Sequence, residues 1–334
     1  MSNLEQAPAE IDCANCEAME AVEVLEPRPV PLGGTRAMTV YRTLPQKQRS
    51  LIGAWCFLDH YGPDDVTSAP GMQVPRHPHT GLQTVSWLFT GAIDHLDSAG
   101  FEATVLPGEV NLMTAGYGIT HSEFSTKDTT ILHGAQLWIA LPDHARNMAP
   151  IFENYRPEPL TGDGWALAVF LGTLGIAGRS STSPVRTHTE ITGAELVLQA
   201  QAEVVLRVPA GHEHGVMVDS GSPILNGRQL GHRDLGFVSR GHTELRITAG
   251  NDPVRVLVIG GEPLNEEILM WWNFVGRNHE EVVAFRQQYQ AEIGAEPGDA
   301  SEDRFGPFPP DTPAALPAPA LPTVRLRPRQ NPPD

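Results

Sequence analysis

Four residues, His77, His79, His121 and Glu123, have the types and the spacing to do chemistry in this chain. The first two flank a proline in "RHPHTGLQTVSWLFTG", and the other two flank a serine in "GYGITHSEFS". Side chains at i and i+2 of an extended chain leave from the same face, so each pair points together. Pro78 fixes its own backbone and pushes His77 into the extended region, which stiffens the fork between the two imidazoles. Its missing N–H is tolerated at a strand start or a sheet rim. Two neighbouring strands, each presenting such a pair inward, would converge three imidazoles and one carboxylate. That donor set suits a divalent transition metal, Fe(II), Mn, Ni, Cu or Zn, and leaves one or two positions for water or substrate. Isolated histidines more often end on the surface or hydrogen-bonded in a core, so the metal reading depends on those strands being adjacent.

The elements around these pairs read as an all-β protein. With Gly 32, Pro 30 and only 7% aromatics, a turn-rich β architecture is favoured over a helical bundle. From residue 31 to 150, runs such as "AMTVYRTL", "TVSWLFTG" and "ILHGAQLWIAL" are bounded by Gly, Pro or Asp, as sandwich and barrel strands are. Residues 151–262 repeat the style, not the identity, in "GWALAVFLGTL", "ELVLQAQAEVVLRVPAG" and "VRVLVIGG". Two tandem β-barrels therefore explain the 334 residues better than one large sheet. A helical segment is expected over 263–294, with Asn278 as N-cap, Glu280 and Glu281 in the first turn and a stop at Gly294. Residues 1–30 read as a flexible acidic leader. The proline-rich tail, 295–334, is either solvated or laid along the surface in polyproline form, where Arg325, Arg327 and Arg329 could dock on an acidic body.

Composition excludes several functions. Lys+Arg 23 against Asp+Glu 40 gives a net charge of -17, which repels phosphate backbones and argues against nucleic-acid binding. No apolar run is long enough to span a bilayer and the start has no signal-peptide pattern, so a cytoplasmic protein without a membrane partner is expected. Cys13 and Cys16 form a C-x-x-C with no second ligand pair at zinc spacing, and read as thiols of the leader. Cys56, inside "WCFLDH", reads as a small buried hydrophobe.

The long stretch "HPHTGLQTVSWLFTGAIDHLDSAG…LPGEVNLMTAGYGITHSE" resembles the pirins, bicupin proteins of the wider cupin superfamily. "RTLP", "FLDHYGP" and "GGEPLNEEILMWWNFVGRNHEE" carry the likeness from about residue 30 to 290. The resemblance implies two cupin barrels with one metal, usually iron(II), held in the first by His77, His79, His121 and Glu123, and no organic cofactor. It implies a second barrel without a site, so His212 and His214 of "GHEHG" are expected to hold no metal although they copy the i, i+2 spacing. Around the site this chain departs from the commonest pirin pattern at Thr80, Leu82, Gln83 and Tyr117. Gln83 stands where many cupins use a glutamate, and as a neutral amide it suits a substrate contact better than a metal. Some pirins resemble quercetin 2,3-dioxygenases, which makes a flavonol or other chelating enol and dioxygen the expected substrates, with Glu123 as metal ligand and base. Other pirins act as redox-sensing regulators, and an acidic surface would suit a basic protein partner.

Overall fold

The computed structural model describes residues 22–32, 38–68, 71–328 and 331. Cys13, Cys16 and Arg329 lie outside the described residues. The chain is mostly β, with two cupin barrels and, among the described residues, one helix near the C-terminus.

In the first barrel a seven-stranded sheet runs in the order Ile151–Tyr155, Val110–Thr114, Leu82–Thr90, Ile131–Ala140, Trp55–Asp65, Thr39–Leu44, Arg28–Pro31. It closes against a four-stranded sheet ordered Gln73–His79, Ile119–Ser125, Ile93–Asp97, Glu102–Val105. The second barrel pairs another seven-stranded sheet, centred on Glu213–Ser220, Val254–Gly261 and Ile191–Leu198, with a six-stranded one. Every pairing between these strands is antiparallel, and strands alternate which face each residue presents.

That alternation builds two cores from each central strand. In Leu82–Thr90, Val85 and Trp87 pack with Phe170, Met217 and Ile259 of the second barrel. Leu88 and Ser86, one residue out of phase, face the interior of the first barrel. Leu58 likewise packs between the barrels, while Phe57, Asp59 and Tyr61 line the first barrel's cavity. The large sheets thus lie face to face, and the strands are buried on both sides. Trp55 sits at this joint with its indole N–H near Thr192 O (3.2 Å) and Gly260 O (3.1 Å). Gly53 has φ +56°, and a Cβ there would meet Gly261 Cα at 2.9 Å, so only glycine lets the two backbones approach.

A buried polar cluster also crosses the joint. His60 Nε2 lies 2.7 Å and His133 Nε2 2.6 Å from Asp219 Oδ1, while Arg255 reaches Asp219 Oδ2 at 3.3 Å. Ligand-type atoms converge here. However, Arg233 donates to His60 Nδ1 (3.3 Å), which fixes the proton on Nε2 for Asp219 and leaves that nitrogen no lone pair for a metal. Burial alone would raise the Asp219 carboxyl, but the imidazoles of His133 and His60 outweigh it and hold it well below the usual range. Burial lowers the His60 imidazole more than Asp219 raises it. Both folded values are depressed, so the stability they contribute is present above their unfolded values and lost as pH falls. The loss begins near about pH 6.5, where an unfolded histidine titrates, and continues below about pH 4 for Asp219. Asp219→Asn is expected to lower unfolding free energy at pH 7 by about 3 kcal/mol, the scale of a broken buried pair, as read from urea denaturation.

Two segments differ from what the sequence suggested, and the tail takes one of its two expected settings. Residues 23–30, assigned to the leader, hold the strand Glu23–Leu25 and most of Arg28–Pro31, and the first pairs with Leu235–Val238 of the second barrel. Val22 and Leu25 anchor it by complete burial. The first half of the expected helical segment is a hairpin, Leu269–Trp271 with Phe274–Gly276, turned by Trp272 at φ 53°. The helix is confined to His279–Glu292, where the Asn278 side chain accepts from Glu281 N as a cap, and the chain leaves through Gly294 at φ 69°. The tail lies along the body rather than in solvent, and Arg325 pairs with Glu280.

Candidate metal centre

The strands that carry the two pairs are adjacent. Ile119–Ser125 pairs with Gln73–His79 in a register that sets His121 opposite His77 and Ile119 opposite His79. Gln73–His79 is an edge strand of its sheet, so the missing N–H groups of Pro75 and Pro78 can lie on the unpaired side. The three imidazole centroids lie 4.3–5.0 Å apart, and all three rings are buried.

Their outer nitrogens determine what the inner ones offer. His77 Nδ1 lies 2.9 Å from Pro75 O and His79 Nδ1 lies 3.2 Å from Asn273 O; a carbonyl only accepts, so both Nδ1 atoms carry the proton. His121 Nδ1 faces His95 Nδ1 at 3.4 Å, and His95 Nε2 in turn faces Asp97 Oδ2 at 3.2 Å. Asp97 can only accept, so His95 gives it a proton and takes one from His121. By these partners each of the three Nε2 atoms is an unprotonated lone pair. Two of them, on His79 and His121, meet at 3.1 Å, a repulsive contact that a bound cation would convert to shared coordination. Burial pushes the His77 imidazole down to about 4 and lowers His79 and His121 strongly, so all three are neutral at pH 7. The residues fit a transition metal.

Glu123 lies on the same strand but is shifted. Two residues from His121 to Glu123 face three from His77 to Val74, a bulge that offsets the carboxylate. It groups with His121 and His95 rather than with the three-imidazole set. Burial pushes its carboxyl above the usual range, against the opposing effects of His95 and of the Ser86 hydroxyl 3.4 Å away.

These side chains open on a cavity of about 560 Å³ that also exposes Arg42, Asp59, Tyr61, Gln136 and Trp138. Trp138 stacks on Phe57 at 4.0 Å, and Arg42 covers the other end of that pair while holding Asp59 by two hydrogen bonds (2.8 and 2.7 Å). The Tyr61 hydroxyl is buried with no hydrogen-bond partner, which leaves it free for a ligand. Gly81, at φ +67°, is needed beside the site, because a Cβ there would meet Val275 O at 2.4 Å and displace the hairpin that holds His79.

Gln83 does not reach this cavity. It lies in phase with Val85 and Trp87, towards the second barrel, and its amide donates to Thr114 Oγ1 (2.9 Å). Gln136, on the next strand, occupies the place expected of it. Gln83→Ala is therefore expected to leave flavonol affinity unchanged within about twofold, whereas Asp97→Asn should weaken metal binding about 10- to 100-fold by releasing His95 from His121. Isothermal titration with nickel(II), then with 3-hydroxyflavone, checks both. Among residues the sequence did not single out, His95 and Asp97 show the same i, i+2 signal one strand away. His212 instead faces Glu190 (3.2 Å), and neither it nor His214 joins a converging ligand group among the described residues. Cys56 is buried, with its thiol pushed up to about 12 by burial.

Residues 36–139 match the family described as Pirin, and residues 193–293 match the Pirin C-terminal cupin domain. A Pseudomonas aeruginosa protein named "Putative quercetin 2,3-dioxygenase" is 39% identical over 281 residues, 84% of this chain and 84% of its own length. A solved quercetin 2,3-dioxygenase from Acinetobacter baumannii superposes with a TM-score of 0.82 at 37% identity, covering 91% of this chain and 97% of that one. A pirin-like protein of Caulobacter vibrioides is 30% identical over 263 residues, 75% of this chain and 88% of its own. No helix is long and apolar enough to cross a membrane among the described residues. With both of its domains matched and a relative aligned along most of its length, this chain belongs to the pirin family of bicupin proteins.

Proposed function

We propose that the protein is a metal-dependent dioxygenase acting on a flavonol or a related chelating enol, with iron(II) as its metal. The observation that carries this reading is the convergence of three buried imidazoles in a cavity that also holds a carboxylate, with the outer nitrogens of all three engaged elsewhere. His77, His79 and His121 would hold the metal, with Glu123 as fourth ligand. When bound, the metal would act as a Lewis acid on a chelating oxygen pair and bring dioxygen to the same place. The chain's own residues do the rest. Glu123, made more basic by burial, takes the proton of the ligand hydroxyl. The Tyr61 hydroxyl and the Gln136 amide orient the polar edge of the ligand, while Phe57 and Trp138 present an aromatic wall. The cavity lies within the range of about 300–1,000 Å³ usual for small-molecule sites.

The similarity to proteins named as quercetin 2,3-dioxygenases supports this choice of substrate class. The test is anaerobic titration of metal-loaded protein with 3-hydroxyflavone. Its absorption band should shift on binding and then decay only when air is admitted, and metal-free protein should give neither change. A band that shifts and persists in air would oppose the reading.

A further inference from the structure

The tail is fastened to the metal site at both of its strands. Glu292 accepts the backbone N–H groups of Arg304 and Phe305, each at 2.8 Å, and Phe305 is buried among Phe274 and Tyr289. Phe305 O accepts from Thr120 Oγ1 (3.0 Å), and Gly306 O accepts from Arg76 Nη2 (2.7 Å). Thr120 and Arg76 each directly precede a histidine of the triad. Further on, Leu316 N donates to Arg76 O (2.8 Å), while Tyr289 Oη donates to Leu316 O (2.7 Å). Ala318 N donates to Gln290 Oε1 and Arg286 Nε to Pro319 O, both at 2.7 Å. A proline-rich segment has few N–H groups and no internal hydrogen bonds, so its carbonyls must find donors elsewhere. Here Thr120 and Arg76 of the strands and Tyr289 and Arg286 of the helix supply them. Fixing that backbone costs conformational entropy, which the buried Phe305 and these bonds must offset.

The consequence is at the cavity, where Leu316 and Pro317 form part of the wall beside Val30 and Trp272. We propose that this segment sets ligand specificity: Leu316 and Pro317 supply the apolar surface for the rings of a ligand that lie beyond its chelating end. The site would then favour flat, multi-ring aromatic enols over single-ring ones. This rests on the reading of the cavity as a metal site for chelating enols.

The experiment uses full-length, nickel(II)-loaded protein and two probes, 3-hydroxyflavone and a single-ring 3-hydroxy-4-pyranone. Leu316→Trp should weaken 3-hydroxyflavone about tenfold or more and leave the pyranone within about twofold, with metal content unchanged. Tyr289→Phe, which removes the hydrogen bond that holds Leu316 O without altering the wall itself, should narrow the same preference. Equal effects on both probes, or an unchanged preference in both variants, would overturn the proposal for the tail alone. Failure of wild-type protein to bind either probe while fully metallated would overturn the enol-site reading together with it.

Discussion

His121→Ala should yield a folded protein that has lost its metal. His121 is the imidazole shared by both converging groups, and it alone is held through a second histidine to a carboxylate. Removing it takes away one of three lone pairs and leaves His95 without its partner. Affinity should fall by more than the 10- to 100-fold typical of losing an outer partner, on the order of 1,000-fold. Metal analysis after dialysis should find close to one metal per chain in wild type and under about a tenth of that in the variant. Circular dichroism should be little changed, since alanine removes a side chain that lines the cavity and leaves the ladder of Ile119–Ser125 in place. His212→Ala and His214→Ala, in the second barrel, provide the control and should retain full occupancy. Full occupancy in His121→Ala would place the metal elsewhere.

Glu123→Gln separates ligation from proton transfer. Glutamine keeps the shape and an oxygen donor but cannot take a proton at neutral pH. With occupancy restored by added metal, oxygen-dependent turnover of a flavonol should fall about 100-fold or more, the usual scale of losing a general base. KM should change little, because the wall contacts remain. A fall that added metal reverses would reduce Glu123 to a ligand only.

How much of this was legible depends on periodicity. His77, His79, His121 and Glu123 announced themselves because an i, i+2 pair says which face it shares, whatever lies around it. Gln83 was misplaced because Leu82–Thr90 is buried on both faces, so its sequence has no polar-apolar alternation to tell inside from outside. Small polar residues, Thr84 and Ser86, share the first-barrel face with Leu82 and Leu88, so side-chain size does not mark that face either. The hairpin Leu269–Gly276 was read as helix because "ILMWWNFVG" is too apolar for either period to stand out, and an asparagine after two tryptophans gave a weak turn signal. The tail's docking was one of two settings the sequence left open, but its contacts beside the triad were hidden for a different reason. Polyproline carries no packing period, and Leu316 meets Arg76 from far away in the sequence.

The inter-barrel cluster was unreadable as well. His60 and His133 sit far apart in sequence on paired strands of one large sheet, and the face-to-face packing of the two large sheets adds Asp219 from the second barrel. The same packing gives the second barrel a structural part at the site, since it clamps the strands Trp55–Asp65 and Ile131–Ala140 that carry the cavity wall.

Oxygen uptake tests the central claim most directly. Iron(II)-loaded wild-type protein, supplied with 3-hydroxyflavone in an oxygen electrode, should consume one dioxygen for each flavonol lost, and labelled dioxygen should place both of its atoms in the products. Metal-free protein and His79→Ala should consume none. If the fully metallated wild type takes up no oxygen with any chelating enol tested, the dioxygenase account is contradicted.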